Sequence, residues 1–128
     1  MNWVMGWWRG SLWHELAQWR VPLVAGPVAL DVVGCRVLIE GRVVHLPARE
    51  AAILEVLMRH PGRVISVSEL TGAIGEQADR GEQVARWVHR LARRLVISPL
   101  QAPLVESVPN AGYRYTPIGP PGERQPDL

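Results

Sequence analysis

Lysine and phenylalanine are absent from this chain of 128 residues, and there is a single cysteine, Cys35. One cysteine excludes an internal disulfide framework and a thiolate metal cluster. The histidines are dispersed, without the paired spacing of a zinc enzyme, at His14, His45, His60 and His89. No uninterrupted apolar run reaches the roughly 20 residues of a membrane span. We therefore expect no metal or other cofactor, no membrane span and a cytoplasmic location.

Catalytic motifs are missing as well. Neither His45 nor His89 has an orienting carboxylate at a motif spacing, and no nucleophile elbow occurs. Gly72 and Gly75 are too sparse to form a loop that cradles phosphate. We expect no catalytic residues, and therefore a protein that is not an enzyme.

The basic residues that are present, all arginine, are unevenly placed. Hydrophobic residues make up 48% of the chain and charged residues 20%, which is typical of one small folded domain with tails. The net charge is only +2, but five of the 14 basic residues lie between Arg80 and Arg94. A local cluster of basic residues is a better indication of nucleic-acid binding than a high net charge of the whole chain.

The stretch Glu82–Leu95 is predicted to be an amphipathic helix, at about 100° per residue. Its apolar seam consists of Val84, Val88, Leu91 and Leu95. The opposite side carries Arg86, His89, Arg90 and Arg93, and Trp87 and Arg94 lie on one flank. Arginine forks on this side would meet phosphates and guanine edges if the helix lay in a major groove. The alternative is a solvated cationic face on an ordinary helix.

Short β-branched runs begin at Val28. The runs VALDVV, RVLIEG and RVVHLP predict an antiparallel meander, with a tight turn at Glu40-Gly41. Apolar residues at helical spacing predict a helix over Ala48–His60, which ends at Pro61-Gly62. The capping box Ser66-Val67-Ser68-Glu69 begins a second helix, which runs to about Ile74.

A hairpin is predicted after the cationic helix. The polar turn Gly75–Gly81 precedes that helix, and a connector over Val96–Leu104 follows it. Two strand-like runs, Leu104–Val108 and Tyr113–Thr116, flank Pro109-Asn110-Ala111-Gly112. A hairpin in this place would be called a wing. The polar tail over residues 117–128 is expected to be disordered.

The first 20 residues hold five of the six tryptophans, Trp3, Trp7, Trp8, Trp13 and Trp19. An amphipathic helix is predicted from about Ser11 to Arg20, because Leu12, Leu16 and Trp19 recur at helical spacing. Three roles stay open: a helix packed back on the domain, a partner-binding or dimerising helix, and an interfacial membrane anchor. Val21–Pro27 is interpreted as a linker.

Several segments of the sequence together resemble one protein family, because they occur in the order and at the spacing that are typical of that family. The matching pieces are Glu40-Gly41 through Leu46, Glu50, Leu54 and Leu57, the bridge His60–Ser66, Glu69-Leu70, the series Val84, Val88, Arg90-Leu91 and Leu95, and finally Val105–Val108 with Gly112–Tyr115. On these residues, the segment 28–116 resembles the OmpR/PhoB-type winged-helix DNA-binding domain, the effector domain of many bacterial response regulators. The resemblance implies an α+β fold: a four-stranded N-terminal antiparallel sheet, three helices in a winged helix-turn-helix arrangement, and a C-terminal β-hairpin wing.

The resemblance also implies roles for individual residues. The third helix would enter the major groove of double-stranded DNA, and the wing would reach the adjacent minor groove. Arg90 would read a base, with His89 and Arg93 on neighbouring backbone or base edges, while Arg86 and Trp87 would lie near phosphates or sugars. On the wing, Arg114 would sit at the root. Asn110 departs from the family pattern at the tip, but asparagine can adopt the backbone of the turn and hydrogen-bond a phosphate. Arg94, on the flank of the helix, completes the set of predicted DNA-binding residues.

The sequence departs from the family pattern at two places that matter for DNA. Ala92 stands where a further basic residue is usual, and Pro109-Asn110 replaces the Arg-Gly of the wing tip. The roughly 27 residues before the domain are too few for a receiver domain. We therefore expect a stand-alone bacterial transcriptional regulator, made of a Trp-rich segment and linker over 1–27, the DNA-binding domain over 28–116 and the tail.

The alternative is an interaction module. In that interpretation the winged helix no longer binds DNA, and the tryptophans Trp3, Trp7, Trp8, Trp13 and Trp19 recruit RNA polymerase or another regulator. A homodimer on repeated half-sites is a further expectation, because a second copy would raise the affinity through effective concentration.

Overall fold

The computed structural model describes Trp19 and residues 22–75, 81–96 and 104–117. The predicted helix from Ser11 to Arg20 lies outside the described residues except for Trp19, as do most of the turn Gly75–Gly81 and of the connector Val96–Leu104. The tail predicted to be disordered lies outside them beyond Pro117.

Four antiparallel strands form the N-terminal sheet in chain order: β1 (Leu23–Ala25), β2 (Val28–Asp31), β3 (Arg36–Ile39) and β4 (Arg42–His45). The predicted meander and the α+β class are thus confirmed. The predicted tight turn is also present, since Glu40 and Gly41 have φ values of 51° and 76° between the paired residues Ile39 and Arg42. These positive φ values are typical of the two-residue turns that match the twist of the strands.

The interpretation of Val21–Pro27 as a linker is wrong for Leu23–Ala25, which form β1. This strand pairs with β2 in the register Leu23 to Leu30 and Ala25 to Val28. Flanking prolines and a glycine made the stretch look like a linker, but a three-residue strand gains its stability from the neighbour with which it pairs.

Three helices follow the sheet: α1 (Ala48–Arg59), α2 (Val67–Ile74) and α3 (Gly81–Arg94). Each begins and ends within one residue or so of its predicted bounds. The capping box at the start of α2 is complete, because the Ser66 hydroxyl accepts from the Glu69 backbone N–H, and the Ser66 backbone N–H donates to the Glu69 carboxylate. That donation from Ser66 holds the pKa of Glu69 below its ordinary value.

The predicted hairpin forms a second, three-stranded sheet. Its strands are β5 (Val64–Ile65), β6 (Val105–Val108) and β7 (Gly112–Tyr115), and β7 lies in the middle. Gly112 has a φ of 145°, and a Cβ atom there would collide with the carbonyl group of Ile65. Only glycine therefore allows β7 to approach β5 so closely at the base of the wing turn.

One core joins the two sheets and the three helices. The contacts run from α1 to β1 and β7, from α3 to β6, and between all pairs of helices. Tyr115, fully buried at the end of β7, donates a hydrogen bond of 2.6 Å to the carbonyl oxygen of Ala25 in β1. Burial raises the pKa of the Tyr115 hydroxyl well above its ordinary range, so the group stays a donor.

Candidate nucleic-acid interface

The helix α3 is anchored by the seam predicted from its sequence. The side chains of Val84, Val88, Leu91 and Leu95 are all buried in the main core. They hold α3 against α1, α2 and β6. This anchoring fixes which side of the helix faces outward, because residues three and four apart lie on the same face.

The outward side carries the four predicted residues Arg86, His89, Arg90 and Arg93, all of them exposed. Among the described residues, none of the three arginines has an ion-pair or hydrogen-bond partner. Each guanidinium can therefore meet an incoming anion without first breaking a contact with a described residue. Arginine suits this role because its planar fork can bind a phosphate or a guanine edge with two hydrogen bonds.

The flank of α3 that carries Trp87 is only partly exposed. Trp87 is half-buried against the core, and the guanidinium carbon of Arg49 lies 4.9 Å from the centre of its ring. Arg49 is an exposed residue in the first turn of α1, and it lies beside Trp87, which the resemblance places near phosphates or sugars. No local pattern in the sequence indicates Arg49, because it lies far from Trp87 in the chain.

Arg94 lies on the same flank but is bound to the protein. Its Nε donates to Oε1 of Glu50 at 2.8 Å. Glu50, in the first turn of α1, is only 1% exposed, so the arginine neutralises a buried carboxylate. A buried charge without such a partner is costly. This ion pair separates Arg94 from Arg86, Arg90 and Arg93, with which it is predicted to bind DNA.

The wing presents Asn110 at its tip. Asn110 is exposed and has a φ of 63°, in the left-handed region that asparagine tolerates better than most residues. The turn is closed by a hydrogen bond of 3.0 Å from the Ala111 N–H to the carbonyl oxygen of Val108. Asn110 thus occupies the predicted position, with its side-chain amide on a surface turn.

Arg114, the basic residue of the wing strands, is paired across the hairpin. Its Nε donates to Oε1 of Glu106 at 2.9 Å, and its Nη2 donates to the same oxygen. The two residues face each other in the β6–β7 register. Arg114 is therefore at the root of the wing, as predicted, but its charge is already matched.

Within the described ranges, no three His, Cys, Asp or Glu side chains are grouped so that they could hold a metal ion. Of the helices in these ranges, none combines the length and the apolar character that crossing a membrane requires.

Comparison with known proteins places this geometry in a family. A family profile described as "Transcriptional regulatory protein, C terminal" matches residues 41–115. The transcriptional regulatory protein CutR of Streptomyces coelicolor is 36% identical over 88 residues, which are 68% of this chain and 39% of CutR. The sensory transduction protein RegX3 of Mycolicibacterium smegmatis is 32% identical over 94 residues, which are 72% of this chain and 41% of RegX3. The chain thus spans about two fifths of the length of these relatives.

Solved structures show the same fold. The DNA-binding domain of Escherichia coli CadC is 20% identical, with a TM-score of 0.68 over 78% of this chain and 96% of that one. The Klebsiella pneumoniae RstA DNA-binding domain, in complex with the RstA box, is 24% identical, with a TM-score of 0.63 over 77% of this chain and 99% of that one. The profile match covers more than half of the chain and includes the helix-turn-helix and the wing. This chain therefore belongs to the OmpR/PhoB-type family of DNA-binding domains of transcriptional regulators.

Proposed function

We propose that this domain binds double-stranded DNA with α3 in the major groove and the wing at the adjacent minor groove. The observation that carries the proposal is the outward row of Arg86, Arg90 and Arg93. These three cations are exposed and lack protein partners among the described residues, while the opposite side of the helix is fully buried. A helix of this kind can enter a groove without rearranging the core.

Within this arrangement Arg90 reads a base, and His89 and Arg93 lie on neighbouring backbone or base edges. Arg86 lies at the phosphates, where the flank of Trp87 and Arg49 extends the contact. On the wing, Asn110 donates to a phosphate from its exposed turn. Arg114 contributes less, because Glu106 would have to release it first.

The role in transcription follows from the relatives. CutR is named a transcriptional regulatory protein, and the RstA domain was solved with the RstA box. We infer that this domain likewise regulates transcription in a bacterium, as a module that folds and binds DNA without help from another domain. Its described core, the capping box of α2 and the wing form one unit, which supports autonomous binding.

A DNA selection with the purified full chain, read at two salt concentrations, tests the proposal. The expected result is an enriched sequence motif containing guanine at the Arg90 position. If two or three phosphates are neutralised, the logarithm of the affinity should fall with the logarithm of the salt concentration with a slope of about −1.8 to −2.7. Enrichment of nothing, with weak binding that disappears at moderate salt, would overturn it.

The same selection tests whether two copies bind together. A motif made of two half-sites would support a homodimer on DNA, because the second copy then binds at a high effective concentration. A motif of one half-site, bound in a one-to-one complex at saturating protein, would contradict it.

The second candidate function is recruitment of RNA polymerase or another regulator through the Trp-rich segment. Trp3, Trp7, Trp8 and Trp13 lie outside the described residues, and Trp19 is only 4% exposed. Replacing the first four with serine in the full chain should abolish capture of purified RNA polymerase and leave DNA affinity unchanged if this function is correct. Unchanged capture would contradict it.

A further inference from the structure

The cation of Arg49, in the first turn of α1, lies over an aromatic ring. Its guanidinium carbon is 4.9 Å from the centre of the Trp87 ring. Arg49 is exposed, and among the described residues it has neither an ion-pair partner nor a hydrogen-bond partner. A guanidinium over the face of an indole keeps its N–H donors free, because they lie in the plane of the group and point away from its centre. Arg49 is therefore held in place and still able to bind an anion.

The next residue, Glu50, contacts the same flank of α3 in a different way. Its buried carboxylate accepts a hydrogen bond of 2.8 Å from Nε of Arg94. Arg94 follows Trp87 by seven residues, which is close to two turns, so both lie on one side of α3. The first turn of α1 thus contacts this flank at two points. At one point the cation belongs to α3 and is neutralised by Glu50, and at the other it belongs to α1 and has no described counterion.

The position of Trp87 on α3 places Arg49 beside Arg90, the residue proposed to read a base. Trp87 precedes Arg90 by three residues, and side chains three apart on a helix are neighbours, with about 5–6 Å between their Cβ atoms. A major groove is about 12 Å wide, and an α-helix with its side chains, at about 10–12 Å, fills it. A cation that lies over the flank of such a helix, and belongs to a second helix, is therefore at the edge of the groove, where the sugar–phosphate backbone runs.

We propose that Arg49 binds a phosphate of the DNA backbone at the edge of the major groove, and that Trp87 is the positioning residue that holds Arg49 there. This role of Arg49 rests on the proposed function, because it requires α3 to lie in the groove. It brings α1 into the interface, from which no DNA-binding residue is predicted. Trp87 then acts through Arg49, in place of the direct contact with phosphates or sugars that the resemblance implies.

The salt dependence of DNA binding by Arg49→Ala, in the full chain, tests the phosphate contact. We expect the affinity for the selected site to fall about three- to tenfold, and the salt slope to become shallower by about 0.9, the value for one phosphate. Unchanged affinity and an unchanged slope would overturn the proposal.

Two further variants serve as controls for this titration. Arg49→Lys keeps the charge but lacks the planar group that lies over the indole, so it should keep the slope and lose part of the affinity. Arg59→Ala removes a cation from the last turn of the same helix and should change neither quantity. Equal losses in Arg49→Ala and Arg59→Ala would show an effect of net charge alone and would overturn the proposed contact.

A double-variant cycle tests the positioning role of Trp87. Trp87→Leu removes the ring but keeps an apolar side chain against the core, and it should weaken DNA binding, because Arg49 is no longer held. In the Arg49→Ala background the same substitution should cause no further loss of affinity, measured below the Tm of each variant. Trp87→Phe keeps an aromatic ring and should retain most of the affinity. A full further loss for Trp87→Leu in the Arg49→Ala background would mean that Trp87 contacts DNA itself, and would overturn the positioning role.

Neutral methylphosphonate groups, placed one at a time along the backbone of the selected site, identify the phosphate. One replacement should weaken binding of the unaltered protein about three- to tenfold and leave binding of Arg49→Ala unchanged, because that contact is already missing. If every replacement weakened both proteins equally, Arg49 would contact no phosphate.

The same DNA distinguishes failure of this proposal from failure of the proposed function. If Arg90→Ala/Arg93→Ala loses binding and Arg49→Ala does not, α3 binds DNA and the role of Arg49 is wrong. If none of these variants loses affinity, the proposed function itself is wrong, and the role of Arg49 is wrong with it.

Discussion

The two elements proposed to meet DNA, the helix α3 and the wing, hold their cations in different ways. On α3, the exposed guanidinium groups of Arg86, Arg90 and Arg93 have no partner among the described residues. On the wing, Arg114 is bound by Glu106, and the tip carries the neutral Asn110. A paired cation must exchange one anion for another, so it gains less from a phosphate than an unpaired one does. We therefore expect most of the binding free energy to come from the helix.

The largest expected effect is that of removing two of the cations that have no partner among the described residues. Arg90→Ala/Arg93→Ala should weaken binding to the selected DNA site about 30-fold or more, because an arginine–guanine pair alone contributes about 1–3 kcal/mol. Fluorescence anisotropy titration measures the loss. Arg42→Ala/Arg59→Ala removes the same charge from β4 and α1 and should change affinity only slightly. Equal losses in both double variants would show that net charge, and not the face of α3, drives binding.

Adjacent arginines on α3 allow a sharper test. Arg94→Ala should reduce the free energy of unfolding by about 3 kcal/mol, because it leaves the buried Glu50 carboxylate without its partner. Arg93→Ala should change stability by no more than about 0.5 kcal/mol. Urea denaturation measures both. The two variants should rank in the opposite order in DNA affinity. Below the unfolding transition, Arg93→Ala should bind DNA more weakly than Arg94→Ala. A stable Arg94→Ala protein with lost DNA affinity would return Arg94 to the DNA-binding set.

The position of the wing depends on Gly112. Gly112→Ala should destabilise the protein by about 2 kcal/mol, because the added Cβ collides with the Ile65 carbonyl group and the residue has a positive φ. Gly72→Ala is the matched control, because Gly72 lies within the helix α2 and a Cβ atom there would meet no other atom within 4 Å. This substitution should be neutral or slightly stabilising. If Gly112→Ala were as stable as Gly72→Ala in thermal unfolding, β7 would not lie as close to β5 as described.

The smallest expected effect is a gain in DNA affinity. Glu106→Gln should release Arg114, raise DNA affinity about two- to fivefold and steepen the salt dependence by about one phosphate contact. Glu55→Gln releases Arg59 from a comparable ion pair on α1 and should leave both quantities unchanged. A loss of affinity in Glu106→Gln would mean that the ion pair holds the wing in its binding position.

Features formed by residues close together in the chain could be predicted from the sequence, whereas features formed by residues far apart in the chain could not. The capping box at Ser66 and the seam from Val84 to Leu95 are local patterns, and both are confirmed. The strand β1 was missed because its few residues are identified only by pairing with β2 and by the hydrogen bond from Tyr115. The ion pair of Arg94 with Glu50 and the contact of Arg49 with Trp87 join separate helices, so no spacing in the sequence indicates them.

The hydrogen bond between Tyr115 and Ala25 has a mechanical consequence. It joins β1 and β7, the first and the last of the strands that the structure describes. A tether attached before β1 and another attached after β7 would pull on this junction first. Tension would then be borne first by β1 and β7.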